Sequence, residues 1–349
     1  MAQHEISQEV NEKVKKNLLK IFIFTAIMIF AGLTSAYLVQ QGDRFWVNIS
    51  MPDGFKYGTA SIIISSLFLF ASIYLVKKNN VKVLKLTLFG ALIGGILFGY
   101  FQFTGFGQLF DKGSVVVSHI MTVDGRYGKH YSLTYEGKNI TYNDDQFYLK
   151  GEPISEDLHD EIRVLGKELF EGAKTVENVF SLSNYGAKFM LLHKDVPVTY
   201  ANNKLYENGN VLGDVLYNSL MKFGENLAND RGDFILQGKY GEDFWIYYNG
   251  QKLAYENREF TINGKPLSPA RKVDLYSQQN SASSFIYVFT GMHLLHWIGG
   301  VIALLVVFIR GLKEKYTQSN YLGISLGSIY WHFLGILWLY LYAFLIYIH

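Results

Sequence analysis

Residues 285–305 read FIYVFTGMHLLHWIGGVIALL, and no charged side chain interrupts them. The uncharged run continues to Ile309. About 20 apolar residues in a helix cross the ~30 Å hydrocarbon core of a bilayer. Four more charge-free runs cover residues 21–39, 58–76, 86–110 and 321–348, and the shortest have 19 residues. The pattern predicts five spanning helices. It excludes an ordinary soluble enzyme, and it excludes a β-barrel, whose strands alternate and last only ~9–11 residues. Of the 349 residues 49% are hydrophobic and 18% charged, against about 25% charged in a soluble domain.

The net charge of +2 averages unlike compartments and decides little. The chain has no cysteine, which excludes disulfides, thiolate zinc, iron–sulfur clusters, covalent c-type haem attachment and a Cys–Cys copper centre. Lys13, Lys15, Lys16 and Lys20 precede the first run, as in a signal peptide. That run is longer than the ~7–15 residues of a signal-peptide core and has no small-residue cleavage site after it, so it reads as a retained helix.

Basic residues set the orientation. The segment before helix 1, the helix 2–3 loop (Lys77, Lys78, Lys82, Lys85) and the helix 4–5 loop (Arg310, Lys313, Lys315) together hold 11 Lys/Arg. The helix 1–2 loop has only Arg44 and Lys56. The positive-inside rule then places the N-terminus in the cytoplasm, with the C-terminus and the long segment between helices 3 and 4 outside. The expected domains are 1–110, with helices 1–3; 111–281, the extracytoplasmic insert; and 282–349, with helices 4–5.

The insert carries 24 Asp/Glu and 19 Lys/Arg and repeats internally. Residues 131–155 read YSLTYEGKNITYNDDQFYLKGEPIS, residues 189–213 FMLLHKDVPVTYANNKLYENGNVLG, and residues 244–268 FWIYYNGQKLAYENREFTINGKPLS. Aligned without gaps at spacings of 58 and 55, they superpose Tyr142, Tyr200 and Tyr255, and also Gly151, Gly209 and Gly264. Leu158, Ile162, Leu165 and Leu169 have helical spacing after the first copy, and Leu216, Leu220, Phe223 and Leu227 after the second. The insert therefore reads as βββα, βββα, βββ. Acidic pairs such as Asp144/Asp145 read as solvated turns, because no EF-hand spacing surrounds them. The expected fold is an all-α membrane bundle of five transmembrane helices with an inserted extracytoplasmic α+β domain of repeated βββ(α) modules.

Helix 4 contains His293 and His296, three apart on one face, and helix 5 contains Trp331 and His332. Counted from the run ends, the three imidazoles lie roughly 12–16 Å deep. Such groups face the bundle interior and find partners. Three uses fit: ligation of haem or metal, proton relay, or a neutral imidazole bonded between helices, worth ~0.6 kcal/mol. Spacing alone favours the last. Gly90, Gly94, Gly95, Gly99, Gly299 and Gly300 permit close helix contact, and Trp297, Trp331 and Trp338, inside the spans, are expected to pack against a partner rather than form an interfacial belt. No nucleotide loop, paired-carboxylate site or Ser/His/Asp arrangement occurs in the membrane part.

At these helices the chain resembles subunit III of the haem–copper cytochrome c oxidases. Residues 285–305 are similar to that family's F-Y-x-x-T-G-x-H-G-L-H-V-x-x-G helix through Thr290, Gly291, His293, Leu295, His296 and Gly300. Residues 330–348 are similar to its Y-W-H-F-V-D-x-V-W-L helix through Tyr330, Trp331, His332, Phe333, Trp338 and Leu339. Residues 21–39 are similar to its F-x-x-S-E-x-x-x-F-A-G helix through Phe30, Ala31 and Gly32. The family's intramembrane Glu falls on Ala26, its Asp on Gly335, and the Gly between its histidines on Leu294. About half the chain is covered, in the five-helix form, and the insert is not.

The resemblance implies an accessory subunit of a proton-pumping cytochrome c oxidase in a bacterial inner (plasma) membrane. Such a subunit carries no catalytic residue, redox centre or metal of its own. It packs beside subunits I and II, with haem and copper held by those partners. His293, His296, His332 and Trp331 then form an intramembrane polar face or touch lipid in a cleft, with phospholipid the expected bound molecule. The family's role near proton entry is in question where Ala26 replaces its Glu. The insert is expected to dock a cytochrome c domain or another respiratory complex, and no nucleic acid is expected. A quinol oxidase with the same subunit and a His-ligated membrane haem protein are the alternatives.

Overall fold

The computed structural model describes residues 8–42, 44–175 and 177–349. The first seven residues of the expected N-terminal domain lie outside the described residues. Along the chain run α1 (Gln8–Gly42), β1 (Phe45–Ile49), α2 (Asp53–Lys77) and α3 (Val81–Asp111). Next come β2 (Tyr131–Tyr135), β3 (Lys138–Asn143), β4 (Gln146–Leu149), β5 (Glu152–Pro153) and α4 (Glu156–Lys174). They are followed by β6 (Phe189–His193), β7 (Val196–Ala201), β8 (Lys204–Glu207), β9 (Asn210–Val211) and α5 (Asp214–Ala228). The last sheet elements are β10 (Phe244–Tyr248), β11 (Gln251–Lys252), β12 (Ala254–Glu256), β13 (Glu259–Ile262) and β14 (Lys265–Pro266). The chain closes with α6 (Pro269–Ser277), α7 (Ser281–Leu312) and α8 (Leu322–Tyr347).

Two compact units result. One holds residues 1–41, 50–110 and 284–349; the other holds 42–49 and 111–283. In the first, α1, α2, α3, α7 and α8 are each long and apolar enough to cross a membrane. The chain is a multi-pass membrane protein. Small residues set how closely its helices pack. Ser65 Oγ of α2 donates to the Ala91 carbonyl of α3 at 2.6 Å, and a Cβ built on Gly94 would lie 2.9 Å from the Ser65 side chain. A Cβ on Gly95 would meet the Trp331 ring at 2.7 Å, and one on Gly99 the Trp297 ring at 2.3 Å. Trp297 and Trp331 thus pack against glycines of α3 within this chain, and Trp338 donates to Thr59 Oγ1 of α2 at 2.8 Å.

In the second unit, β2–β9 form an antiparallel sheet in the order β5-β4-β3-β2-β6-β7-β8-β9. The two strand groups join where Leu133 of β2 lies opposite Leu191 of β6. Leu158, Ile162, Leu165 and Leu169 of α4 and Leu220, Phe223 and Leu227 of α5 are buried in the core beneath this sheet. The two helices approach closely at Gly166 and Gly224: a Cβ on Gly166 would stand 2.5 Å from the Ala228 nitrogen. Ser155 caps α4 by accepting from the Leu158 amide, with Glu156 and Asp157 in the first turn, where acids favour the helix dipole.

Turn chemistry recurs through the insert. Glu136–Gly137, Asp144–Asp145 and Lys150–Gly151 all have positive φ. So do Lys194–Asp195, Asn202–Asn203 and Asn208–Gly209, and so do Asn249–Gly250, Asn257–Arg258 and Asn263–Gly264. Two central residues in that conformation make the type I′ turn that matches strand twist in a hairpin. A tyrosine stitch recurs at the same spacings. Tyr127 Oη donates to the Ile140 carbonyl at 2.8 Å and accepts from the Leu133 amide at 2.9 Å. Tyr185 bonds the Val198 carbonyl and Leu191 amide likewise, and Tyr240 the Leu253 carbonyl and Ile246 amide.

Four details differ from the sequence expectation. Each strand group gains a short further strand, and the third is followed by a helix of its own, α6. The third group is also split, with β12-β13-β14 forming a separate sheet. Its β10 pairs with β1, from the connection between α1 and α2, placing Val47 opposite Ile246. Phe45, Trp46, Val47 and Ile49 are buried. This five-residue strand lies in the helix 1–2 loop, where the sequence reading placed no strand.

Candidate functional site

The polar groups of the bundle come from α7 and α8. His293 is fully buried. Its Nε2 donates to the Leu334 carbonyl of α8 at 3.1 Å. The ring stands edge-on to Phe98 of α3, centroids 5.5 Å apart, and tilts against Trp338 at 5.3 Å. Its lone bond to a helix carbonyl joins α7 to α8, as an interhelical imidazole should.

One turn further along α7, His296 takes a different role. Its Nδ1 donates to the Met292 carbonyl in its own helix at 2.8 Å. The ring lies 5.8 Å from Phe30 and 6.0 Å from Phe22, both of α1. The His296 carbonyl accepts from Tyr330 Oη of α8 at 3.0 Å, and the next residue, Trp297, donates its indole N–H to the Gly95 carbonyl of α3 at 2.9 Å.

His332 turns toward α2 and stacks on Phe70 with centroids 4.0 Å apart. Its Nε2 is buried and has no hydrogen-bond partner among the described residues. Beside it a groove of about 250 Å³ is lined by Ile62, Ser66, Phe70, Gly335 and Leu339. Gly335, where the resembling pattern has Asp, leaves the Ser66 hydroxyl 3.5 Å from where a Cβ would stand. Trp331 points into the bundle, fully buried between Gly95 and Gly300.

Equal depth in the sequence thus does not bring the three imidazoles into one site. His293 joins α7 to α8, His296 packs on α1, and His332 packs on α2. Among the described residues no three His, Asp or Glu side chains gather closely enough to hold a metal ion.

The insert holds a polar cluster that sequence reasoning missed. Asp233 has a wholly buried side chain. Its Oδ1 lies 2.7 Å from Arg126 Nε, and its Oδ2 accepts from Arg258 Nε at 2.9 Å. Tyr255 Oη and Arg258 Nη2 also donate to this carboxylate. The Arg258 guanidinium lies over the Tyr142 ring, 5.5 Å from its centre. Tyr142 Oη donates to Asp145 at 3.1 Å, and Asp145 Oδ2 accepts from the Tyr240 amide at 2.8 Å. Asp145 is therefore no solvated turn residue, although Asp144 beside it is exposed. Burial pushes the Asp145 carboxyl up to about 6. The only sequence hint was the alignment of Tyr142 with Tyr255.

Residues 276–349 match the family Cytochrome c oxidase subunit III. Through this segment the chain is similar to the cytochrome c oxidase subunit III family. The segment includes α7 and α8 entire, and with them His293, His296, Trp331 and His332. The cytochrome c oxidase subunit 3 proteins of Equus caballus, Equus asinus and Dasypus novemcinctus are each 43% identical over 60 residues, 17% of this chain. The chain spans about a quarter (23%) of the length of these curated relatives. The subunit III match leaves α1–α3 and the insert up to residue 275 outside it.

Proposed function

We propose that the chain is a non-redox accessory subunit III of a proton-pumping cytochrome c oxidase in a bacterial inner membrane. It stabilises the catalytic subunit and supports proton uptake. The observation that carries this reading is the family segment with both its α7 histidines committed to helix carbonyls: His293 to Leu334 and His296 to Met292. The His293 bond ties α7 to α8, and the His296 bond closes within α7. In this reading haem and copper sit in the partner subunits I and II, and phospholipid is the molecule the chain itself holds.

His332 extends the argument. An imidazole nitrogen at mid-bilayer without a partner is costly, and its satisfaction is expected from a neighbouring subunit. The insert reads as a three-unit repeat, as the recurring I′ turns and tyrosine stitches suggest. Its strand β1 comes from the α1–α2 connection, which the positive-inside rule puts on the same side as the α3–α7 segment. We place that side in the periplasm, where the insert docks a cytochrome c domain or another respiratory complex.

The experiment replaces residues 111–281 and strand 44–49 with short linkers and isolates the oxidase from native membranes. Loss of a neighbouring subunit or of electron delivery, with haem content retained, supports docking. Unchanged composition and unchanged turnover contradict it.

A further inference from the structure

Arg231 follows α5 and lines a cavity of about 460 Å³ in the insert. Among the described residues no carboxylate pairs with its guanidinium, and its Nε is buried without an acceptor. Glu225 lines the same cavity without an ion pair to it, and the nearby Lys222 is already engaged by Asp124 at 2.6 Å. The Ser118 hydroxyl, also on the wall, is buried and without a hydrogen-bond partner. Removing a guanidinium from water without an anion is unfavourable, and its desolvation pulls the Arg231 pKa down. Gly113 backs the site: its φ is +78°, and a Cβ there would stand 3.0 Å from Arg231 Nη2.

Two further features define the ligand. Val115 and Val117 lie on the same wall, and Val117 is 71% exposed, so the cavity joins a cationic end to an apolar rim. Gly113 is also only two residues past the end of α3. Two extended residues reach at most ~7 Å, so Gly113 follows within that distance of the end of a helix long and apolar enough to cross a membrane. Arg231 and Lys222 face Glu225 and Asp124, so the wall carries no net charge, and a singly charged phosphodiester fits better than a doubly charged free phosphate.

We propose that this cavity binds the headgroup phosphate of a membrane phospholipid, with Arg231 as its fork and Val115 and Val117 against the first acyl carbons. An Arg–phosphate pair forms two parallel charge-assisted bonds, which a lysine cannot reproduce. Arg231, Ser118, Val115 and Val117 lie outside the family segment, and the proposal does not depend on the oxidase reading.

The test titrates the full chain, in a phosphate-free detergent, with short-chain phosphatidylglycerol and separately with inorganic phosphate, by calorimetry. The wild type is expected to bind the lipid and to bind inorganic phosphate at least tenfold more weakly. Arg231→Met is expected to lose tenfold or more in lipid affinity at unchanged melting temperature. Arg231→Lys, which keeps the charge, provides the same comparison if the methionine variant fails to fold, and is expected to bind more weakly than wild type. Equal lipid affinity in wild type and a folded variant overturns the proposal. So does inorganic phosphate matching the lipid, which would make this a free-anion site.

Discussion

The Trp297 indole of α7 donates to the Gly95 carbonyl of α3 at 2.9 Å, and its ring occupies the space that a Cβ on Gly99 would need. One glycine supplies an acceptor and the next supplies room. One aromatic side chain of α7 thus uses two successive glycines of α3.

Gly99→Ala is expected to destabilise the bundle by about 1–3 kcal/mol, the usual cost of overpacking. Trp297→Phe removes the hydrogen bond but keeps most of the ring, and is expected to cost about 1 kcal/mol. Thermal unfolding of the full chain in detergent, followed by tryptophan fluorescence, checks both.

In the insert, Asp233→Ala strands Arg126 and Arg258 without their buried carboxylate. Breaking one side of a buried ion pair typically costs about 3–5 kcal/mol. The loss is expected to appear as rapid proteolysis between residues 111 and 283 while the membrane helices stay protected. Lys222→Ala, which breaks an exposed pair with Asp124, is expected to change stability by less than about 1 kcal/mol.

Asp145 makes the insert sensitive to pH. Its carboxyl titrates near 6 when folded, above the ordinary 3.8, so the folded insert binds the proton more tightly than the unfolded chain. The stability from this group is full below about pH 4 and is lost as pH rises through about 6. The shift sets an upper bound of about 3 kcal/mol. Asp145→Asn is expected to flatten that decline. Melting temperatures at several pH values between these limits, for both proteins, give the comparison.

His332 separates the isolated chain from the assembled one. Its unsatisfied nitrogen makes His332→Phe neutral or stabilising, by up to about 2 kcal/mol, for the chain alone. The same substitution is expected to weaken retention of neighbouring subunits during detergent extraction. Melting of the chain alone and subunit composition of the complex measure the two effects separately.

Much of this was legible in the sequence because the signals were local. Charge-free runs of helix length define the five spans, since hydrocarbon tolerates few other patterns. The positions of Leu158, Ile162, Leu165 and Leu169 foretold the buried face of α4. What stayed hidden depends on distant pairing. Strand 45–49 has no meaning until Tyr248 and its neighbours lie opposite. Asp233 has no sequence signature, because its three partners come from positions 126, 255 and 258. Depth along a helix gave the level of each imidazole in the membrane but not its azimuth, and azimuth sends His293, His296 and His332 to different neighbours.

The most direct test of the central claim is to purify the tagged full chain from its native membranes in mild detergent and record a reduced-minus-oxidised haem spectrum. The account expects haem–copper oxidase subunits to accompany the chain, with a haem signal per complex that is unchanged by His293→Leu, His296→Leu or His332→Leu. A chain that purifies alone, or a Soret band that disappears with any one of those histidines, would contradict it.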